Sequence, residues 1–312
     1  MFFKKISISI TKLILPLIYR ILQLFKGNTR AVNFLNDKKI NANSSYNFGK
    51  IIDELLNNKK IIGMDVGAQG GFNSDGFFPK KYNKYFESIL IDPLNNSLKN
   101  EEGKHIITKG LWSSKSLRKL YILNKRPGSS SMFEPETKSL SMYDFNEKDF
   151  HLFDVTKTEM VQCDTLSSSL NNLSIKSLDY LKIDTQGAEL EILKGLGNYR
   201  PLLIKCEVQI FPMYKKAPNW TEITDFLYKL GYMISDWKKI GAHTTRTPVE
   251  MDMIFIPNFI SESGKNLITL NQKNFICLML MSGQIKLLKK ISKILNFKYS
   301  KSYINIEDRY FN

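Results

Sequence analysis

Acidic residues at the ends of short apolar runs are the groups in this chain best placed to do chemistry. The first such run leads into Asp65-Val-Gly-Ala-Gln-Gly-Gly71. Glycines in a turn of this kind let a ligand approach the backbone, and free N–H groups at the start of the helix expected to follow the turn attract negative groups. The turn is not a GxGxxG fingerprint, because an acid stands at the strand end in front of the first glycine. A carboxylate there is poorly suited to a pyrophosphate and well suited to an ammonium group. Asp92 ends the next run, which Pro93 stops, and is placed to accept hydrogen bonds from two ribose hydroxyls. A cationic amino acid joined to a ribose describes S-adenosylmethionine. The candidate cofactor residues are therefore Asp65, Gly67, Ala68, Gly70, Gly71, Asp92 and Pro93. Trp112, just past the third run, is a candidate platform for adenine, with core packing as the alternative.

The elements that must position these groups alternate between helices and short buried strands. Residues 47–58 read as a helix with Phe48, Ile51, Ile52, Leu55 and Leu56 on its inner face. Strands are expected at 60–66, 88–92, 105–109, 119–123, 159–163, 179–184 and 202–208. A helix at 221–230 precedes strands at 232–237 and 252–256. This order predicts an α/β fold with a doubly wound, mostly parallel sheet. The final strand pair is joined by a polar loop without a helix, so the last strand is expected to be antiparallel. There is no internal repeat. Residues 124–150, with Pro127-Gly-Ser-Ser-Ser131 and several aromatics, lack periodicity and read as a lid or substrate loop.

Four stretches together resemble the FkbM-type methyltransferases. They are Asp65-Val-Gly-Ala-Gln-Gly, Ile91-Asp-Pro93, Gly128-Ser-Ser-Ser-Met, and above all Leu181-Lys-Ile-Asp-Thr-Gln-Gly-Ala-Glu-Leu-Glu-Ile-Leu-Lys-Gly195. The resemblance covers roughly residues 47–258. It implies a Rossmann-like class I methyltransferase fold, a seven-stranded mostly parallel sheet with its last strand antiparallel. It also implies S-adenosylmethionine-dependent O-methylation, often of sugars or secondary metabolites. Two departures stand out. Gln186 occupies a place where the family commonly has Glu, and the strand end Glu207-Val-Gln209 lacks a His that often follows. If either family residue handles protons, this chain must do so differently or not at all.

Methyl transfer requires an aligned acceptor oxygen, exclusion of water and removal of the hydroxyl proton. Asp184 and Glu207, at adjacent strand ends on the active face, are candidates for base and orienter. Asp184 could equally cap the helix starting near Gly187, and the two acids could share a divalent metal, although no third ligand is evident. No metal is expected. Lys182 shares a strand face with Asp184 and reads as a paired, partly buried lysine. His243, near Arg246 in the loop between the last two strands, is a candidate catalytic residue if that loop overhangs the active face; a surface histidine without a role is the alternative.

Composition bounds the partners. With 43% hydrophobic and 24% charged residues over 312 positions, the chain can build a core, which excludes wholesale disorder. Three cysteines without a CxxC pair exclude a disulfide framework and argue for a reducing, cytoplasmic setting. The net charge of +15 suggests nucleic acid until its distribution is read. Residues 1–30 hold six basic groups and no acid, residues 286–301 hold six more and no acid, and the middle keeps only +3. A nucleic-acid acceptor is thereby disfavoured, since it needs a basic groove beside the active site.

Residues 1–30 place Lys5, Lys12, Arg20 and Lys26 on one stripe of an otherwise apolar helix that Pro16 would kink. Lys12 and Arg20 would each cost roughly 2.5–3.5 kcal/mol at a bilayer centre, so an interfacial helix fits better than a spanning one. No small-residue cleavage motif follows. The segment 275–301 repeats the pattern, with Leu287, Leu288, Ile291, Ile294 and Leu295 opposite a lysine face. Either both segments pack on the domain, or they hold the protein peripherally on the inner, anionic face of a membrane. The expected acceptor is a small molecule or glycan, foremost a sugar hydroxyl of a glycan or glycolipid precursor. A degenerate fold serving as a membrane-associated scaffold is the non-enzymatic alternative; Gln186 favours it, and Asp65, Gly67, Gly70 and Asp92 oppose it.

Overall fold

The computed structural model describes residues 48–94, 104–143, 145–240 and 248–299. The expectations for residues 1–30 and for His243 lie outside them. Apolar runs form the central strands: β1 (Ile61–Val66), β2 (Phe86–Ile91), β3 (Lys104–Ile107), β7 (Tyr180–Ile183), β8 (Leu203–Gln209), β9 (Tyr232–Ile240) and β10 (Glu250–Pro257). They make one seven-stranded sheet in the order β3-β2-β1-β7-β8-β10-β9. The pairs from β3 through β8 are parallel, while β10 runs antiparallel to both β8 and β9. This is the Rossmann-like arrangement expected, including the antiparallel last strand. Strand order reverses between β1 and β7, and such a switch point opens a crevice at the carboxyl ends of the strands.

Helices cover both faces. Helix α1 (Gly49–Leu56), α5 (Glu262–Leu270), α6 (Gln272–Met281) and α7 (Ile285–Ile294) build one core with Ile61, Tyr180, Leu203 and Ile256. On the other face, α2 (Leu166–Asn172), α3 (Glu189–Lys194) and α4 (Trp220–Lys229) pack on Met64, Leu181, Ile183 and Cys206. Local chemistry starts several of these helices. Thr165 caps α2 through the Ser168 N–H, Ser261 caps α5 through the Gly264 N–H, and Asn219 with Glu222 forms a capping box on α4.

The structure corrects the sequence reading in two places. The segments expected as strands at 119–123 and 159–163 do not join the parallel sheet. They pair antiparallel as β5 (Ser116–Ile122) and β6 (Lys157–Asp164), beside the short β4 (Gly110–Leu111). In β5, Leu120 and Ile122 are buried while Leu117 and Lys119 are exposed, the alternation of a strand with one wet face. Next, no α-helix follows the glycine turn; the chain makes successive turns and only a short 3-10 helix at Lys80–Tyr85. For the described part of 275–301 the structure shows the packing alternative. Phe275 through Met281 are all fully buried, and Ile285, Leu288 and Ile291 of α7 enter the same core. A helix that is apolar all round is a core helix. Among the described residues, no helix is long and apolar enough to cross a membrane.

The region 124–150, between β5 and β6, is folded. It holds short 3-10 turns, and its Leu140 and Tyr143 share a small core with Phe153, Met213, Tyr214 and Val249.

Candidate active site

Strand register explains why charged side chains gather here. On the sheet face covered by α1 and α6, the amino-terminal ends of the strands are apolar, with Ile61, Tyr180 and Leu203. Asp65, four residues beyond Ile61, and Lys182 and Lys205, two beyond Tyr180 and Leu203, stand side by side on β1, β7 and β8. The next row pairs Glu207 with Asp252, and the one after pairs Gln209 with Glu250. The side-chain period of 2 therefore turns residues of four strands into one polar field at the carboxyl end of the sheet.

The two lysines are fully committed. Lys182 Nζ lies 3.0 Å from Asp65 Oδ1 and 3.6 Å from Asp184 Oδ2. Lys205 Nζ is 2.7 Å from both Asp75 Oδ2 and Asp252 Oδ1. Burial alone would lower the pKa of Lys205, but the Asp252 and Asp75 carboxylates outweigh it and raise the value. Asp65 is itself wholly buried and also accepts the Asn73 N–H at 3.1 Å. Burial pushes its pKa up, against the opposing pull of Lys182. Its carboxylate is thus spent inside the protein, which corrects its assignment to a ligand's ammonium group.

A cavity of about 400 Å³ opens at the carboxyl ends of β1, β2 and β7. Gly67, Gln69, Asp92 and Pro93 line one part, and Asp184, Thr185 and Gln186 another; Ser130, Ser131 and Met132 of the 124–150 region form a wall. Gly67 has φ +79°, and a Cβ there would meet the Asp184 carbonyl oxygen at 1.9 Å, so only glycine lets the turn close against β7. Asp92 accepts the Leu94 N–H at 2.8 Å, and burial raises its pKa.

Other candidates are placed differently. Ala68, Gly70 and Gly71 do not line the cavity, and the Gly67 and Ala68 N–H groups both donate to the Ile91 carbonyl. Trp112 packs on Phe133 with Arg118 stacked 4.4 Å from its ring, 6% exposed and away from the cavity wall, so core packing is its role in this structure. Asp184 does not cap a helix. The amides of Thr185 and Gly187 are taken by Glu189 Oε1, at 2.8 and 3.1 Å, which leaves Asp184 facing the cavity.

Glu207 lies behind Gln186, whose Nε2 reaches it at 2.8 Å and Asp184 at 3.0 Å. Burial, then the charges of Asp184, Glu250, Asp252 and Glu189, hold the Glu207 pKa well above the usual carboxylate range. Glu250 is pushed up to about 7 by burial and by Asp184, with Arg126 opposing. At that value Glu250 can exchange a proton near neutral pH. Among the described residues, no set of three or more His, Cys, Asp or Glu side chains is arranged to hold a metal.

Asp75, Lys205, Glu250, Asp252 and Tyr214 were missed by sequence reasoning. The signal was present as alternation: Lys205, Glu207 and Gln209 recur every second residue in a run otherwise apolar, as do Glu250 and Asp252. The model of the methyltransferase FkbM domain matches residues 65–234, more than half of the chain and nearly every group described above. No curated protein matches the sequence.

Proposed function

This chain belongs to the FkbM methyltransferase family, and from that membership we propose that it moves a methyl group from S-adenosylmethionine to an acceptor hydroxyl. The acceptor in this reading is a sugar of a glycan or glycolipid precursor presented at a membrane surface. One observation carries it: a single cavity joins the strand ends of β1 and β2, with Gly67 and Asp92, to the carboxylate of Asp184 on the neighbouring strand end. Its volume is within the range of about 300–1,000 Å³ typical of small-ligand sites.

When bound, S-adenosylmethionine supplies a methyl group activated on a sulfonium centre. Asp92 would hold the ribose hydroxyls, since one of its carboxylate oxygens has no protein partner among the described residues. Ile91, Leu111, Leu120 and Ile192 offer an apolar wall for the base. Asp184 would take the acceptor's proton, with Glu207 behind it as a second carboxyl group, joined to it through Gln186. The carboxylates of Asp75, Asp92 and Asp184 on the walls favour a neutral hydroxyl compound over a phosphate-rich nucleic acid. Exposed Lys286, Lys290 and Lys293 on α7 support contact with anionic lipid.

The test is calorimetric titration of the folded protein with S-adenosylhomocysteine, using Asp92→Ala as the control. Micromolar binding that is lost in the variant supports the reading, and no binding by folded protein refutes it. Asp65→Ala is an unsuitable control, because it strands the buried Lys182.

A further inference from the structure

Gln186 stands between the two acids and touches each wall of the site. Both hydrogens of its amide nitrogen are spent on carboxylates, one on Asp184 and one on Glu207. Its Oε1 accepts from the Tyr214 hydroxyl at 3.0 Å, which fixes the direction the amide faces. That hydroxyl also lies 2.7 Å from the Ser129 carbonyl oxygen, so its single proton is shared between the two acceptors. The Gln186 backbone carbonyl accepts from Ser131 Oγ at 2.6 Å. Ser129 and Ser131 belong to the 124–150 region, so Gln186 is where that region meets the carboxyl pair. The residue holds φ +60°, a left-handed backbone that a side-chain-bearing residue keeps only where its surroundings over-determine it.

We propose that Gln186 is a positioning residue that clamps Asp184 and Glu207 together and couples that pair to the docking of residues 124–150 at the cavity wall. Its purpose rests on the methyl-transfer reading; its geometry does not. A carboxylate at this position would set a third acid within hydrogen-bond reach of two others, and one of the three would have to keep a proton. The amide joins the pair without titrating. The surroundings make that donor matter. Glu189, Glu250 and Asp252 face the pair as further acids, and Lys182, Lys205 and Arg126 are the nearby cations, with the phenols of Tyr143 and Tyr214 on the outer side. Lys182 and Lys205 are already shared among other carboxylates.

The experiment is a carbon-13 carboxyl NMR titration of the full chain without cofactor, the Glu207 signal being assigned through Glu207→Gln. In Gln186→Met the Glu207 midpoint is expected to rise by about one pH unit, because its hydrogen-bond donor is gone. In Tyr214→Phe, which frees the amide to turn, the same shift is expected at smaller size. In both variants, protease cleavage within residues 124–150 should accelerate. If Gln186→Met does not fold, Tyr214→Phe decides. Midpoints and cleavage rates unchanged from the parent protein would overturn the proposal. Titration with S-adenosylhomocysteine in parallel separates the two readings. Shifted midpoints without cofactor binding keep the clamp and sink methyl transfer, and binding with unmoved midpoints does the reverse.

Discussion

Lys182 shows how closely charge is balanced inside this site. Its ammonium is buried between Asp65 and Asp184, and removing one member of such a set leaves the others uncompensated. Lys182→Met is expected to lose about 3–5 kcal/mol of stability at pH 8. The loss should be smaller at pH 5, where Asp65, with its pKa already raised, takes up a proton instead. Urea unfolding at the two pH values checks this, and a loss independent of pH would contradict the charge account. Glu250 acts in the same direction. Its folded value of about 7 lies above its ordinary 4.5, so the native state binds the extra proton between those limits. Its contribution is fully present below about pH 4.5 and is lost as pH rises through 7, a change of about 3 kcal/mol. The thermal midpoint of the parent protein should therefore fall between pH 5 and pH 8, and Glu250→Gln should flatten that fall. A steeper fall in the variant would remove Glu250 as its source.

At the scale of elements, α7 separates stability from surface attachment. Leu288 is fully buried against the core that α1 and α6 share, whereas Lys286, Lys290 and Lys293 are exposed. Leu288→Ala is expected to cost about 2–5 kcal/mol in denaturant unfolding, the usual toll of a core cavity. Replacing the three lysines by alanine should leave stability within about 0.5 kcal/mol. The same triple variant should lose flotation with vesicles containing anionic phosphatidylglycerol while neutral vesicles remain unbound by either protein. Equal flotation of parent and variant would dissociate α7 from any membrane role. Most of the elements were legible in the sequence, because apolar runs bounded by glycine, proline and polar residues mark strands wherever both faces are buried. The turn after β1 was misread as leading into a helix. Asn73 explains the difference, since its N–H is taken by Asp65 and its side chain bonds the Phe78 backbone on both edges, which folds the chain into turns.

For the molecule as a whole, the strand order places the cavity at the switch point between β1 and β7, and a ligand there should stabilise the whole sheet. Saturation with S-adenosylhomocysteine at one hundred times its dissociation constant should add about 2.7 kcal/mol to the unfolding free energy. A thermal scan across ligand concentrations reads this directly, and an unmoved midpoint in folded protein would argue against cofactor binding.

Adjacency in sequence is what a single chain displays, and it determined much here: the glycine turn, the acids at strand ends, the long motif around Asp184, and the antiparallel close of the sheet. These follow from local periodicity and from turn residues, which act over a few positions. Tertiary structure alone decided how the acids are used. Asp65 and Lys182 are 117 positions apart, and Lys205 and Asp75 are 130 apart. Whether a carboxylate is free for a ligand or spent on a lysine depends on strand register and burial. Both are set by packing between segments distant in the chain, and no spacing along it records them.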